Sequence, residues 1–210
     1  MRLVDIKTWP RREIWEFFST LSQPFYSVCY RQDVTGVYAY AKERGLSFYY
    51  CMVWAVTEAV NAVEAFRMTI TPAGPAVLDR RRPSFTVLRK GEENFRILTM
   101  DTAPDPAAFC AAAAEKEARQ TAFLDQAGET EDLIYLSCLP WVEVTGLTNE
   151  RDMDPDDAIP RIAWGKYRQE NGRLRLGMCL EVNHRLVDGV HIGRFAAELD
   201  RVIGELGQGR

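Results

Sequence analysis

MCLEVNHRLVDG, residues 178–189, is the stretch of the chain that says most about its fold. The apolar side chains of Met178, Leu180 and Val182 recur at a period of two, which predicts a strand with one apolar face. His184 continues the alternation, so we expect it on the same face at the strand end. Asp188 stands where it can cap a following helix. Because strand-to-helix junctions commonly carry reactive side chains, this stretch is also a candidate site.

The flanking segments extend the alternation of strands and helices. A helix starting near Asp188 has one apolar stripe, formed by Ile192, Phe195, Ala196, Leu199, Ile203 and Leu206. Upstream, strand-like segments at 162–168 and 173–183 flank Glu170-Asn171-Gly172, a hairpin signal. A further strand is predicted at 133–139, and the polar stretch 149–157 is expected to be a surface loop.

The first half of the chain mixes the same two kinds of element. We expect helices capped by Thr8, Asp33, Ser47 and Asp105, the third of them a strongly apolar core helix. The last of these helices is predicted over 107–123. Strands are predicted at 25–31, 67–70, 84–88 and 95–100. The sequence therefore predicts an α+β fold, a mixed sheet covered by helices, in a single domain over residues 1–210.

Composition excludes several classes of partner. The chain has 210 residues, 47% of them hydrophobic, and 26 basic against 30 acidic side chains give a net charge of −4. Proteins that bind a nucleic-acid backbone are usually basic, so nucleic acid is not expected as a partner. The longest uncharged run, 45–57, is well short of the roughly 20 apolar residues of a membrane span. The first residues also lack the apolar core of a signal peptide.

The five cysteines are odd in number, widely scattered and without a C-x-x-C pair. Neither a disulfide framework nor a thiolate zinc site is indicated, and we expect all of them to be buried free thiols. They are Cys29, Cys51, Cys110, Cys138 and Cys179. This usage favours a reducing compartment, and the chain is expected to be cytoplasmic.

Histidine chemistry has two candidates, His184 and His191. From the pattern alone, a core histidine with a structural hydrogen bond is the favoured interpretation of His184. With Asp188 the two histidines have ligand-like chemistry, but His184 ends a strand and His191 lies inside the next helix. Because no fourth ligand is evident, no metal site is predicted.

Asn183 to Gly189 fits the pattern H-x-x-x-D-G, and further motifs occur in a compatible order. They are Trp9-x-Arg11-Arg12-Glu13, Ala59-Val60-Asn61 with Phe66-Arg67-Met68, Phe85-Thr86-Val87, Ser137-Cys138-Leu139-Pro140-Trp141 and Lys166-Tyr167. On these residues the chain resembles the chloramphenicol acetyltransferases, over about 5–203. His184-Arg185 is also similar to the related catalytic domain of dihydrolipoamide acyltransferases. The resemblance implies a coenzyme A-dependent acyltransferase fold.

The resemblance also implies roles for individual residues. His184 would be the general base that deprotonates an acceptor hydroxyl, and Ser137 would stabilise the oxyanion. Asp188 would pair with Arg11 and order the loop that holds His184, while His191 would be structural. Coenzyme contacts are implied for Tyr49, Trp141, Lys166 and Tyr167. Acetyl-CoA would be the cosubstrate, a small-molecule hydroxyl compound such as chloramphenicol the acceptor, and the assembly a homotrimer with His184 facing a neighbour's pocket.

Three departures from the family pattern leave the acceptor open. Ala163 stands where a threonine is usual, Phe18 replaces a pocket tyrosine, and Ser22 replaces an apolar pocket residue. These changes alter hydrogen bonding around the acceptor, not the base or the oxyanion serine. The alternatives are therefore a relative acting on another acceptor or on a thiol carrier, and a non-catalytic trimer that only binds a small molecule.

Overall fold

The computed structural model describes residues 1–209, which form helices and strands in alternation. The helices are α1 (Arg12–Phe18), α2 (Thr35–Arg44), α3 (Phe48–Ala62), α4 (Pro106–Arg119) and α5 (Gly189–Gly207). The first strands are β1 (Arg2–Leu3), β2 (Phe25–Asp33), β3 (Met68–Thr71), β4 (Gly74–Val77) and β5 (Arg82–Val87). The others are β6 (Arg96–Thr99), β7 (Leu133–Leu139), β8 (Arg161–Gly165), β9 (Arg168–Glu170) and β10 (Arg173–Asn183).

The main sheet has the strand order β2-β10-β8-β7-β5-β6, and β9 pairs with one end of β10. It is mixed, because β5, β7 and β8 run parallel while the other pairs are antiparallel. A small second sheet has the order β1-β4-β3. The predicted α+β class, with a mixed sheet and covering helices, is confirmed.

One face of the main sheet is buried under the helices. α3 is the centre of this layer, since it packs against α2, α4 and α5 and against strands β5 and β7. Met178, Leu180 and Val182 of β10 point into the hydrophobic core that these elements share. The opposite face of the sheet carries the remaining side chains of each strand.

Part of this second face is covered by the segment that follows β7. The backbone of Val144 crosses so close to β8 and β10 that side chains at Gly165 and Gly177 would collide with it. A Cβ on Gly177 would lie 1.7 Å from the Val144 carbonyl oxygen, which only glycine avoids. What stays uncovered is a groove over β5, β7 and β8.

The helix caps were predicted with mixed success. Ser47 accepts from Tyr50 N at 3.3 Å and Asp105 from Ala108 N at 2.8 Å, so both caps are confirmed. The first helix begins only at Arg12, so the prediction for Thr8 is wrong. The Thr8 hydroxyl bonds instead to the Asp5 carboxylate at 3.2 Å, in a local turn that competes with helix capping. The prediction for Asp33 is also wrong, because the N-cap residue of α2 is Val34. Asp33 lies one residue earlier and accepts from Thr35 N at 3.0 Å.

Strand positions follow the predictions more closely. Leu133–Leu139 and Arg173–Asn183 are strands over the predicted residues, and Asn171 and Gly172 adopt the positive φ values, 49° and 79°, of a tight hairpin turn. The predicted strand over 162–168 is divided between β8 and β9. The observed helix α4 is shorter than the predicted 107–123, because it ends at Arg119.

The expectation of five free thiols is wrong for two cysteines. Cys29 and Cys179 form a disulfide, because the antiparallel register of β2 and β10 places them directly opposite each other. They are 150 residues apart in the chain, so their spacing in the sequence could not reveal the pairing. Cys51, Cys110 and Cys138 are free. The cysteine count therefore no longer argues for a reducing compartment.

Within residues 1–209, we found no helix that combines the length and the apolar character required to cross a membrane.

Candidate active site

His184 lies immediately after β10, where its backbone N–H donates to the backbone carbonyl of Pro24 at 2.7 Å. Its imidazole is stacked on the Phe18 ring, with centroids 4.0 Å apart and 10° between the planes. The Tyr26 ring lies 4.3 Å away at 32°. The side chain keeps 31% exposure, whereas Met178 and Val182 of the same alternation are buried. His184 therefore leaves the core face that the pattern predicted and reaches the surface between two aromatic rings.

The Nδ1 edge of His184 faces Asp188. Nδ1 lies 3.2 Å from Asp188 Oδ1, but the alignment does not make a hydrogen bond and Nδ1 is buried. The other ring nitrogen, Nε2, is therefore the one that can meet a ligand. The Tyr26 hydroxyl donates to the Val187 carbonyl at 3.2 Å and so ties β2 to the loop that carries His184.

Arg11 and Asp188 form the pair that the resemblance implied. Arg11 Nη1 donates to Asp188 Oδ2, and Nη2 lies 3.2 Å from Oδ1 and 3.4 Å from the Arg185 carbonyl. Burial alone would raise the pKa of Asp188, but the hydrogen bond and charge of Arg11 outweigh it, and the nearby His184 and His191 add to the lowering. The pKa of Asp188 thus lies below its ordinary value.

His191 has a structural contact at the start of α5. Its Nδ1 accepts from the Asp188 N–H at 2.9 Å, so the imidazole satisfies a backbone donor at the helix N-terminus. Burial and the positive charge of Arg11 lower the pKa of His191, which favours this neutral, accepting form. The role of His191 that the structure shows is therefore structural, at the N-terminus of α5.

Ser137 lies on β7 and faces the groove. Its neighbours in sequence, Leu136 and Cys138, point to the opposite face of the sheet, where Leu136 is part of the core. The Ser137 hydroxyl is 3.4 Å from the hydroxyl of Thr86 on the adjacent strand β5. Ala163 of β8 is its cross-strand neighbour on the other side. Within residues 1–209 the long contact with Thr86 is the one hydrogen bond of the Ser137 side chain, so the hydroxyl can donate to a ligand in the groove.

The groove has a volume of about 950 Å³, and Ser137, Tyr49, Trp141, Lys166 and Tyr167 all line it. Trp141 is 69% exposed, and Lys166 is also exposed. The Tyr167 ring packs edge-on against Tyr38 and Phe48. Tyr49 is turned inward, where its hydroxyl donates to the Thr86 carbonyl at 2.6 Å. The structure therefore brings the predicted coenzyme contacts together with the predicted oxyanion serine.

His184 does not line this groove. Ser137 is level with Cys179 of β10, because Ser137 pairs with Ala163 and Ala163 pairs with Cys179. His184 lies further along, beyond the end of β10. At roughly 3.3 Å per residue and 4.8 Å between strands, the Cα atoms of His184 and Ser137 are on the order of 20 Å apart. A single chain does not bring the two residues together.

The other predicted acceptor residues lie in two places. Ala163 is buried in the groove floor beside Ser137, and Phe18 is the residue stacked on His184. Ser22 is exposed in the segment before β2. Among the residues that the structure describes, no group of three or more His, Cys, Asp or Glu side chains could hold a metal ion.

Two residues with a part in this site received no role from sequence reasoning. Thr86 belongs to a motif that supported the resemblance, but only its contact with Ser137 shows what the hydroxyl meets. Arg161 opens the otherwise apolar strand β8 and lines the groove. The sequence did contain a signal for Arg161, because it is a charged residue at the start of an apolar strand. Burying a charge costs free energy unless the charge is paired, so such a residue is expected to have a specific partner.

Comparisons with known proteins identify the family of this chain. The family model for chloramphenicol acetyltransferase matches residues 1–200. A chloramphenicol acetyltransferase of Streptomyces acrimycini is 31% identical over 206 residues, covering 96% of this chain and 94% of the relative.

Solved structures show the same fold. A chloramphenicol acetyltransferase structure aligns with a TM-score of 0.87 at 24% identity, covering 97% of this chain and all (100%) of that one. The dihydrolipoamide acetyltransferase of Azotobacter vinelandii aligns with a TM-score of 0.67 at 17% identity, covering 94% of this chain and 87% of that one. The fold is that of the coenzyme A-dependent acyltransferases. The family match over residues 1–200 and the relative at 31% identity define the chain as an acyltransferase. The chain belongs to the chloramphenicol acetyltransferase family.

Proposed function

We propose that this protein transfers an acetyl group from acetyl-CoA to a hydroxyl of a small-molecule acceptor. The observation that carries the proposal is that one chain presents both a surface-reaching imidazole, His184, and a separate groove that holds Ser137. Relatives in the family are named as chloramphenicol acetyltransferases, so chloramphenicol is the first acceptor to test.

In the proposed reaction His184 acts as general base through Nε2. The Asp188 carboxylate beside Nδ1 favours the tautomer with its proton on Nδ1, which leaves Nε2 free to accept. Nε2 takes the proton of the acceptor hydroxyl as its oxygen attacks the thioester carbonyl carbon. The C–S bond then breaks, and the proton passes from Nε2 to the leaving thiolate. Base catalysis of this kind typically contributes about 10²- to 10⁴-fold in rate.

Ser137 would donate its hydroxyl to the oxyanion that forms during this attack. The negative charge exists only in the tetrahedral intermediate and its flanking transition states, so the donor should affect turnover more than binding. Acetyl-CoA would lie in the groove, where Lys166 can meet a phosphate and Trp141 and Tyr167 offer ring surfaces. The size of the groove and this donor set fit a long, anionic cosubstrate.

We further propose a homotrimer in which His184 of one chain faces the groove of its neighbour. The separation between His184 and Ser137 within one chain supports this arrangement. So does the apolar surface near His184, where Phe17 is 63% exposed and Leu21 and Val190 are also exposed. A head-to-tail contact of this kind closes into a ring when the rotation between subunits permits it.

The direct test is thiol release from acetyl-CoA with chloramphenicol as acceptor. We expect His184→Ala to lose at least about 10²-fold in turnover, and Ser137→Ala to lose about 10²- to 10³-fold with little change in the acceptor KM. His191→Ala is the matched histidine control and should stay within several-fold of the unaltered protein. Turnover of His184→Ala close to that of the control would refute the base assignment.

A further inference from the structure

The open face of the sheet carries a continuous row of polar side chains. Cross-strand pairing aligns one residue from each of six strands, in the order β6, β5, β7, β8, β10 and β2. The row consists of Thr99, Ser84, Tyr135, Arg161, Glu181 and Ser27. It lies two residues along the strands from the row that holds Ser137, so both rows are on the same face. Ser84, Tyr135 and Arg161 line the groove.

Glu181 and Arg161 are the two buried charges in this row, and Arg161 has 9% exposure. Its Nη1 donates to Asp157 Oδ2 at 2.8 Å and to the Ile159 carbonyl at 3.2 Å, and its guanidinium lies over the Tyr135 ring, 5.3 Å from the centroid. Within residues 1–209, both hydrogen bonds donated by the Arg161 guanidinium come from Nη1. The guanidinium is thus fixed from one side, and its remaining donors are free for a ligand in the groove.

An acceptor atom lies at the other end of Tyr135. The Tyr135 hydroxyl donates to Glu129 Oε2 at 2.8 Å, while Glu129 Oε1 is buried without a partner in the described part of the chain. Glu129 also lines the groove. Arg161 covers the ring of Tyr135, and Glu129 accepts from the hydroxyl of the same tyrosine. The guanidinium donors of Arg161 and the acceptor Glu129 Oε1 are therefore separated by about the length of the Tyr135 side chain.

The charges around Arg161 favour an uncharged ligand. Asp157 meets both Arg151 and Arg161, and Glu181 meets Arg151. These two arginines and two carboxylates balance each other, so Arg161 offers hydrogen-bond donors more than net positive charge. A hydroxyl group both donates and accepts, so a ligand with several hydroxyls can satisfy Arg161 and Glu129 together.

The groove also has an apolar edge on the β6 side. Phe95 and Phe123 form an edge-to-face pair with centroids 5.4 Å apart, and both are about half exposed. Both rings line the groove, as does Leu88. An acceptor that combines a ring or alkyl group with a hydroxyl-rich part would contact both regions.

We infer that Arg161, together with Glu129, selects a polyhydroxylated acceptor of the glycoside type, with the sugar-like part over Tyr135 and the apolar part toward Phe95 and Phe123. The inference rests on the proposed acetyl transfer and names the class of hydroxyl compound that this groove prefers. A buried, unmatched pair of polar groups discriminates strongly against ligands that cannot bond to it. Chloramphenicol, with fewer hydroxyls, should therefore be the poorer acceptor.

The test compares chloramphenicol with 4-nitrophenyl glucoside, galactoside, mannoside and xyloside, which share its nitrophenyl group. Transfer is followed by thiol release from acetyl-CoA, and binding of each compound is measured by calorimetry without acetyl-CoA. We expect kcat/KM for the best glycoside to exceed that for chloramphenicol by at least about tenfold. Arg161→Leu should lower the ratio of the two kcat/KM values by about 10- to 100-fold, as loss of a charged hydrogen bond implies.

Arg161→Lys and Glu129→Gln guard against simple misfolding. Lysine keeps the positive charge beside Asp157 but lacks the several N–H donors of the guanidinium. Glutamine keeps a side-chain oxygen that can accept from the Tyr135 hydroxyl but loses the negative charge. Both variants should therefore fold and still lower the ratio of the two kcat/KM values. Arg80→Leu removes an exposed arginine that pairs with Glu58 and does not line the groove, so it should leave the ratio unchanged. Glycoside binding that depends on Arg161, without any acetyl transfer, would support the ligand class and refute the proposed reaction. Chloramphenicol preferred over every glycoside, with a ratio insensitive to Arg161, or no glycoside binding at all, would overturn the inference.

Discussion

His184 is positioned by contacts with both of its ring faces and with one edge. Phe18 and Tyr26 limit rotation of the imidazole, and Asp188 meets the Nδ1 edge. Asp188 is itself held by Arg11, which comes from the start of the chain. The orientation of the proposed base thus depends on a residue that lies far from any acceptor.

The Arg11–Asp188 pair gives a prediction about coupling. Asp188→Asn leaves Arg11 facing a neutral partner, and Arg11→Val leaves the carboxylate unpaired, so each should lower the free energy of unfolding by about 1–3 kcal/mol and lower turnover with it. The double variant should lose less than the sum of the single losses, since a shared interaction is lost only once. The free energy of unfolding, measured in denaturant, and kcat are determined for the unaltered protein, the two single variants and the double variant. Additive losses in both would show that the two residues do not act as partners.

The same pair predicts a dependence on pH. The folded-state pKa of Asp188 lies below its ordinary value, so the fold favours the ionised carboxylate. Its contribution to stability is present above the unfolded pKa, near about 4, and is lost as the pH falls through the folded value. The stability difference between the unaltered protein and Asp188→Asn should therefore shrink in acid. A difference that stays constant from neutral pH to acid would contradict this assignment.

Arg81 is the residue on which several segments converge. It is fully buried, and burial lowers its pKa to about 10. Its guanidinium donates to the carbonyls of Phe66, Met68, Glu131, Leu133 and Ala158. These bonds hold the start of β7 beside the segment that leads into β8, the two strands that carry Ser137 and Arg161.

Arg81→Met should therefore destabilise the protein by about 3–5 kcal/mol, because five carbonyls lose their donor and four of these bonds are buried. Arg80→Met is the matched control. Arg80 is half exposed and pairs with Glu58, so its loss should cost less than about 1 kcal/mol. Unfolding curves in urea measure both. Equal effects of the two variants would mean that the buried bonds of Arg81 contribute little.

At the scale of elements, the strands β2 and β10 are joined by the Cys29–Cys179 disulfide as well as by their backbone pairing. The bridge lies on the groove side of the sheet, in the same cross-strand row as Ala163 and Ser137. Because it closes a loop of 150 residues, it restricts the unfolded chain strongly.

Reduction of this bridge should lower the free energy of unfolding by about 2–5 kcal/mol. The double variant Cys29→Ser/Cys179→Ser should match the reduced protein and no longer respond to reductant. Cys138→Ser is the control, since it keeps the bridge and should remain sensitive. The comparison is made by urea unfolding with and without dithiothreitol. If the double variant were still destabilised by dithiothreitol, the effect of the reductant would not arise from the Cys29–Cys179 bridge.

The elements that the sequence predicted well are those with local causes. β10 and α5 follow from residue periodicity, and the Asn171-Gly172 turn from a preference for positive φ. The disulfide, the contacts of Arg81 and the polar row through Arg161 were not predictable in this way. Each depends on which strands become neighbours, and a single sequence does not contain that information without the fold. The same limit explains why Ser137 could be chosen by motif while its partner Thr86 could not.

At the scale of the whole molecule, the separation of His184 from the groove has the largest consequence. If the active site combines His184 of one chain with Ser137 of its neighbour, then no single chain holds a complete site. The protein should then behave in solution as three chains of 24.0 kDa. Disruption of the contact between chains should abolish turnover even where every chain keeps its fold.

Mixed subunits test this arrangement. His184→Ala and Ser137→Ala are each expected to be nearly inactive, but an interface between an intact His184 and a neighbour's intact Ser137 forms when the two are unfolded and refolded together. In a directional ring assembled at random from equal amounts, each interface has about a one-in-four chance of being complete, so about a quarter of full activity should return. Each variant refolded alone is the control and should stay inactive. If both residues acted within one chain, no mixture could restore turnover, because every chain would lack one of them.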